Sequence, residues 1–71
     1  MKNITKEIKL RILKDLDTYY YGKRYSYEEI FRNSGDYDDY DKNEVWEFTK
    51  DYLDLSHADI QQEIKAFELT K

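Results

Sequence analysis

Residues 25–30 read YSYEEI, and the same pattern returns as YDKNEV at residues 40–45 and as LSHADI at residues 55–60. Each copy has an apolar or aromatic residue, a Ser or Asp, an acidic residue three positions later, and then a β-branched aliphatic residue. This order is the capping box with a hydrophobic staple that marks the first turn of a helix. Three helices are therefore predicted to begin after Ser26, Asp41 and Ser56.

A further helix is predicted ahead of these three, from about residue 4 to residue 21. Its apolar residues recur at spacings of four, four, four and three, at Ile4, Ile8, Ile12, Leu16 and Tyr19. On a period of about 3.6 residues they form a single stripe. Gly22 follows at the position where a left-handed C-cap would end the helix.

These signals predict an all-α protein, a compact bundle of four short helices at about residues 4–21, 27–34, 42–53 and 57–69. The composition agrees, because the chain has no proline and only two glycines, which favours uninterrupted helices over a turn-rich β fold. A chain of 71 residues makes one domain, residues 1–71. Without cysteine it has no disulfide, so it must rely on helix packing or on association.

The apolar faces of the helices predict how they pack. The third helix has the widest apolar arc, so we expect it to be the most buried and to cross the first helix at the centre. The fourth helix has a narrow stripe and is expected on the outside. Trp46 is expected in the core; if uncovered, it would favour a homodimer contact. The predicted core is Ile8, Ile12, Leu16, Ile30, Phe31, Val45, Phe48, Tyr52, Leu53, Ile60, Ile64 and Phe67.

Charge is distributed unevenly along the chain, whose formal net charge is −4. Residues 1–24 carry seven Lys or Arg against three acidic residues, a net of +4, whereas residues 25–71 carry five against thirteen, a net of −8. Such a split is typical of a nucleic-acid contact, of an acidic contact surface, or of two halves that attract each other within one fold. No apolar run resembles a signal peptide or a membrane span, so a cytoplasmic protein with no membrane contact is expected.

Enzymatic chemistry has little support in this sequence. His57 is the single histidine and there is no cysteine, so no second ligand or partner of those types could complete a zinc site or a catalytic pair. A glycine-rich phosphate-binding loop is also absent. We therefore predict a non-catalytic protein that has no cofactor and no dedicated metal site.

The segment DYDDYD at residues 36–41 is a metal loop, a contact surface or a solvated connection. It does not match the calcium loop of an EF-hand, because Asp41 or Glu44 falls where that loop needs glycine. A weak, non-specific cation site stays open. Asp41 and Tyr40 are explained by the helix start, which favours a solvated loop. However, a core this small cannot take all eight tyrosines, and Tyr37 is expected to be exposed, which keeps the contact surface open.

The contact surface is the preferred functional hypothesis. Aromatic rings among carboxylates suit a basic partner, so we expect a small regulatory or interaction protein that binds another protein with a basic surface. Such small acidic chains are common among accessory proteins of bacteria and their phages. A protein that mimics DNA and inhibits a nucleic-acid-binding protein is a further alternative, because spaced carboxylates imitate a phosphate backbone. The residues predicted to make the contact are Asp36, Tyr37, Asp38, Asp39 and Glu47.

Residues 54–67, DLSHADIQQEIKAF, resemble the second half of a helix-turn-helix domain of the winged-helix type. Leu55 and Ser56 would close the turn, and the fourth helix would be the recognition helix. The pattern departs where Asp54 stands for the usual glycine, no wing follows, and acidic residues on that helix would repel DNA. The resemblance implies a DNA-binding regulator as the alternative function. Contacts would come from the basic first helix and the outer face of the fourth, at Lys2, Lys6, Lys9, Gln61, Gln62 and Lys65.

Overall fold

A computed structural model describes residues 2–69 of the chain, and four α-helices follow one another there. They are α1 (Lys6–Asp15), α2 (Tyr27–Phe31), α3 (Lys42–Thr49) and α4 (His57–Leu69). A π-helical segment, Leu16–Gly22, continues α1, and a 3-10 turn, Lys50–Tyr52, continues α3. The predicted all-α bundle of four short helices is confirmed. Residues 1, 70 and 71 of the predicted single domain lie outside the described residues.

All three predicted caps are present at the starts of α2, α3 and α4. Ser26 forms the complete capping box with Glu29, since each side chain bonds to the other's backbone amide. Asp41 accepts from the backbone amides of Asn43 and Glu44, and the Ser56 hydroxyl accepts from the amide of Asp59 at 3.1 Å. These bonds satisfy amides that have no partner within the helix, which is why the sequence signal located the helix starts correctly.

The second half of the box at Asp41 was predicted wrongly. Glu44 was expected to reach back to the Asp41 amide, but that amide donates to the carbonyl of Lys2 at 3.0 Å. Lys2 in turn donates its own amide to the carbonyl of Asp39 at 2.8 Å, and a single parallel β-bridge joins Lys2 to Tyr40. The Lys2 carbonyl therefore accepts the hydrogen bond that was predicted for the Glu44 side chain. The Glu44 carboxylate oxygen Oε2 is buried with no hydrogen bond in the structure.

The first helix is longer than its α-helical part, and Gly22 is not the left-handed cap that was predicted. The helix widens to π geometry at Leu16, and the amide of Lys23 still bonds to the Thr18 carbonyl at 3.1 Å. The left-handed residue is Arg24, with φ of 62°. Gly22 serves a different purpose, because a Cβ there would lie only 3.1 Å from the Asp17 carbonyl oxygen.

α1 packs mainly against α4, which corrects the predicted centre of the bundle. The two helices run antiparallel, since His57 meets Asp17 at one end and Lys6 lies over the Phe67 ring at the other. α4 was expected on the outside, yet the narrow stripe of Ile60 and Ile64 is enough to bury one complete face. The remainder of α4 is exposed, including Gln61, Gln62 and Lys65, as predicted.

The predicted core is largely confirmed, but Trp46 is not part of it. Trp46 is 40% exposed and meets the Tyr27 ring edge-on, with centroids 5.0 Å apart. The apolar arc of α3 is wider than the face that a chain of this size can cover, so the inner positions fall to Val45 and Thr49. The predicted core residues that are buried are Ile12, Leu16, Ile30, Phe31, Val45, Ile60 and Ile64, and those that are partly buried against them are Ile8, Phe48, Tyr52, Leu53 and Phe67.

The π-helical segment is fastened to the turn between α3 and α4 by tyrosine hydroxyls. Tyr21 donates to the Tyr52 carbonyl and accepts from the Leu55 amide at 3.2 Å. Tyr20 donates to the Leu53 carbonyl at 3.4 Å. Because a π turn holds more residues than an α turn, successive side chains diverge less, and both rings reach the same turn.

Within residues 2–69 no helix is both long and apolar enough to cross a membrane.

We predict that Tyr21→Phe lowers the free energy of unfolding by about 1–3 kcal/mol, because it leaves two half-buried backbone groups of the α3–α4 turn unpaired. Chemical denaturation followed by circular dichroism measures this change. Tyr25→Phe is the control, since the Tyr25 ring is 43% exposed, and a change below about 0.5 kcal/mol is expected. Equal effects of the two substitutions would contradict the role assigned to Tyr21.

Candidate functional site

The DYDDYD segment is not a freely solvated connection, because Tyr37, its second residue, is buried. Only 2% of Tyr37 is exposed, and its ring packs on Phe31 with centroids 5.1 Å apart. Its hydroxyl donates to Asp15 Oδ2 at 2.5 Å, and the Arg11 guanidinium covers the ring at 5.0 Å. The prediction that Tyr37 is an exposed contact residue is wrong. Its ring anchors the loop on α1, and its hydroxyl has the acceptor that burial requires.

The acidic residues beside Tyr37 remain at the surface. Asp36, Asp38 and Asp39 are exposed, and Asp36 lies 4.0 Å from the Arg11 guanidinium. Glu47 is exposed too, but it pairs at 2.6 Å with Lys50, the first residue of the 3-10 turn that continues α3. The structure therefore brings three of the five predicted contact residues together as one exposed loop, with Tyr37 beneath it and Glu47 engaged elsewhere.

The residues predicted to contact DNA do not form one patch. Lys6 and Lys9 lie over the rings of Phe67 and Phe48, at 5.9 and 5.6 Å from the ring centroids. Gln61 lies at the opposite end of α1, where its amide is 3.5 Å from Asp17. Lys6 and Asp17 are eleven residues apart, roughly 16 Å along a helix. Lys2, Gln62 and Lys65 are exposed.

Three carboxylates from separate segments meet around a cleft of about 120 Å³ between α1, α2 and the loop. Asp15 comes from the end of α1, Glu29 from the first turn of α2, and Asp36 from the loop. Among the described residues that line this cleft there is no Lys or Arg. We call it the acidic cleft; its lining is Asp15, Tyr19, Tyr25, Glu29, Ile30, Ser34 and Asp36.

Two of the three carboxylates of the acidic cleft accept a hydrogen bond from a hydroxyl group. The Glu29 carboxylate is held by the Ser26 hydroxyl at 3.1 Å, as part of the capping box. Asp15 is held by the Tyr37 hydroxyl described above. At Asp36 only the backbone is held in this way: its amide donates to the Ser34 hydroxyl at 3.3 Å, in a turn that reverses through Gly35 at φ of +81°. The Glu29 and Asp15 carboxylates are therefore held in place, whereas the exposed Asp36 carboxylate faces Arg11 at 4.0 Å.

Two stacked tyrosines contribute the aromatic residues of the acidic cleft. The rings of Tyr19 and Tyr25 lie 5.8 Å apart between centroids and only 20° from parallel. The left-handed turn at Arg24 reverses the chain, so that the Tyr25 amide bonds back to the Tyr19 carbonyl at 2.8 Å. Lys23 lies over the Tyr19 ring at 5.3 Å. The cleft thus combines aromatic surface with negative charge, the two features that attract an organic cation.

The carboxylates of the acidic cleft and the phenol beside them differ in their exposure to solvent. Glu29 and Asp36 are exposed to solvent, where carboxylates are strongly screened. Burial, reinforced by the hydrogen bond to Asp15 and the charge of that carboxylate, raises the pKa of the Tyr37 phenol. The phenol is therefore neutral and acts as a hydrogen-bond donor. Within residues 2–69 no group of three or more His, Cys, Asp or Glu side chains is arranged to hold a metal ion.

A second polar cluster was missed by the sequence analysis. The His57 ring nitrogen Nε2 lies 2.5 Å from Asp17 Oδ1, and the ring stacks on Tyr21 at 5.9 Å. His57 lies at the start of α4, and 46% of its side chain is exposed. The two partners are forty positions apart, and no local pattern indicates such a pair. The pair joins the first turn of α4 to the π-helical segment.

Comparison of the chain with protein-family models, with curated proteins and with solved structures finds no match in any of the three. The resemblance of residues 54–67 to a helix-turn-helix domain therefore rests on the sequence pattern alone.

We predict that Tyr37→Phe destabilises the protein by about 1–2 kcal/mol. The substitution keeps the buried ring but removes the hydroxyl that donates to the Asp15 carboxylate, and such charge-assisted bonds are stronger than average. Urea denaturation provides the measurement. Asp38→Asn in the same loop is the control, with an expected change within about 0.5 kcal/mol, because Asp38 is exposed. A Tyr37→Phe protein as stable as the parent would contradict the anchoring role.

We also predict that stability falls steeply in alkali. Burial raises the pKa of Tyr21, Tyr27, Tyr37 and Tyr52 above the usual value near 10, so these phenols lose their protons later in the folded chain than in the unfolded chain. The contribution of these four phenols to stability should be constant below about pH 10 and fall above it. Tyr37→Phe should make that fall shallower by at most about 1.4 kcal/mol per pH unit.

Urea denaturation at a series of pH values, for the parent and for Tyr37→Phe, measures both slopes. Ionic strength is held constant so that only protonation changes. Parallel curves for the two proteins above pH 10 would show that Tyr37 does not titrate differently in the two states, and would contradict this prediction.

Proposed function

We propose that this protein is a small, non-catalytic interaction protein of the cytoplasm that binds a partner protein with a basic surface. The contact is made by the acidic side of the molecule, centred on the acidic cleft and bordered by Asp38 and Asp39. The single observation that carries the proposal is the convergence of Asp15, Glu29 and Asp36 with two stacked tyrosine rings on one concave surface.

Charge supports this assignment. The cleft lining carries three acidic residues and no basic residue among those described, and the neighbouring Asp38 and Asp39 extend the negative surface. Electrostatic complementarity of this kind accelerates and orients the encounter with a basic protein more than it adds to affinity. Tyrosine is also one of the residues that protein interfaces favour, because its ring gives a large contact area.

The DNA-binding alternative has weaker support. The cations of α1 that would contact phosphate lie over aromatic rings, and the glutamines of α4 lie near the other end of α1. The mimicry alternative requires the acidic residues of α3 and its leading loop to share one face. Asp41 is used as a cap, Glu44 is partly buried, and Glu47 pairs with Lys50, so no observation favours a continuous row.

A direct test measures fluorescence anisotropy of three labelled probes titrated with the purified protein. The probes are an arginine- and glycine-containing peptide, a matched glutamate and glycine peptide, and a random-sequence DNA duplex. At about 50 mM salt we expect binding of the basic peptide only, and weaker binding at about 200 mM, because screening increases. Binding of the duplex without binding of the basic peptide would overturn the proposal in favour of DNA recognition.

Charge-matched variants decide whether the binding is local. The double substitution Glu29→Gln with Asp36→Asn removes two charges from the acidic cleft. Asp51→Asn with Glu63→Gln removes the same two charges from exposed positions outside it. The first pair is expected to weaken peptide binding at least threefold more than the second. Equal losses would mean that only net charge attracts the peptide and that the acidic side is not a site.

A further inference from the structure

We infer that the acidic cleft is a receptor for one arginine side chain of the partner. The inference rests on the proposed function and specifies which group of the partner enters the surface. Its basis is a small cleft whose lining combines the stacked Tyr19 and Tyr25 rings with three acidic residues.

The chemistry of the lining favours a guanidinium over other groups. A guanidinium is planar, carries five N–H donors in a fork, and stacks on aromatic faces, whereas an ammonium is a compact and strongly hydrated charge. The acidic residues of the lining offer hydrogen-bond acceptors, and the tyrosine rings with Ile30 offer a surface for the methylene stem. An arginine side chain makes use of both parts of the cleft.

The protein already binds one of its own guanidinium groups in the same way at the edge of this cleft. Arg11 lies over the Tyr37 ring at 5.0 Å and 4.0 Å from Asp36, so a tyrosine ring and a cleft carboxylate together hold it. Lys23 over the Tyr19 ring, at 5.3 Å, is a second internal cation on a cleft residue. Both contacts show that cations pack on tyrosine rings on this side of the molecule. They also mean that Arg11 competes for Asp36 with an incoming arginine.

The dimensions limit the ligand to a single side chain. Small-molecule pockets usually measure roughly 300–1,000 Å³, and this cleft measures about 120 Å³. Exposed ion pairs contribute little, on the order of 0.2–1 kcal/mol each, so one arginine alone binds weakly. The cleft therefore fixes the orientation of a partner whose affinity comes from a larger surface.

The experiment is a two-dimensional ¹H–¹⁵N NMR titration of the intact chain with blocked pentapeptides of the form Gly-Gly-Xaa-Gly-Gly. Xaa is arginine, lysine or citrulline, the last being uncharged and nearly isosteric with arginine. We expect arginine to shift the amide signals of Tyr19, Glu29 and Asp36 in a saturable way. Lysine should bind at least twofold more weakly, and citrulline should give no saturable shift.

Two pairs of single substitutions, each with a matched control, make the test specific. Asp36→Asn should weaken the arginine peptide about two- to fivefold, whereas Asp38→Asn, with the same charge change on the same loop, should alter binding less than twofold. Arg11→Gln should strengthen binding, because it removes the internal competitor. Lys65→Gln removes the same charge from an exposed position on α4 and should strengthen binding less.

Several results would overturn the inference. They are shifts spread over the whole surface, equal binding of lysine or citrulline, equal effects of Asp36→Asn and Asp38→Asn, or no gain from Arg11→Gln beyond that from Lys65→Gln. The arginine- and glycine-containing peptide of the anisotropy experiment could bind while the single-arginine pentapeptide gives no shifts at the cleft. In that case the receptor site is wrong and the interaction function stands. If neither peptide binds, both are wrong.

Discussion

The hydrogen bond from Tyr37 to Asp15 is the constraint on which the acidic side of this molecule depends. Only 2% of Tyr37 is exposed, so its hydroxyl would destabilise the folded state if it had no hydrogen-bond acceptor. Asp15, at the end of α1, supplies that acceptor at 2.5 Å. The ring holds residues 36–41 against α1 and α2, and the N-terminal segment then pairs with that loop through Lys2. Loop, N-terminus and cleft are thus fixed by one buried side chain.

A chain of this size completes its core with tyrosines, and that choice determines how the helices are connected. Aliphatic residues from α1 and α4 supply the central contacts, but the edges are closed by Tyr20, Tyr21 and Tyr37. Each of these hydroxyls bonds to a group distant in sequence, at Leu53, Tyr52 and Asp15. An aliphatic side chain would fill the same space without this directional requirement. The tyrosines therefore specify where the turns and loop sit as well as how much surface is buried.

Local signals predicted the helices well, because capping and periodicity are properties of neighbouring residues. Ser26, Asp41 and Ser56 cap the helices that their patterns announced, and the stripe of α1 faces the core. Tyr37 was expected to be exposed and is buried, because burial of a loop residue leaves no periodic pattern in the sequence. Trp46 was expected to be buried and is exposed, because the width of an apolar arc does not reveal how much of it other elements cover. Asp36 was the one cleft carboxylate predicted for a site. Asp15 and Glu29 join it only through tertiary packing, which no spacing in the sequence reveals.

Under the proposed function, residues that would bind the partner also stabilise the fold. Asp15 holds the Tyr37 hydroxyl and also lines the cleft, and Glu29 completes a helix cap while its carboxylate lines the cleft. Ordering these carboxylates is a cost that folding has already met, so a partner does not have to meet it again on binding. A ligand that binds only the folded protein also stabilises the folded state by mass action. A cation bound in the cleft would therefore hold the loop and α2 in place, in addition to the anchor that Tyr37 provides.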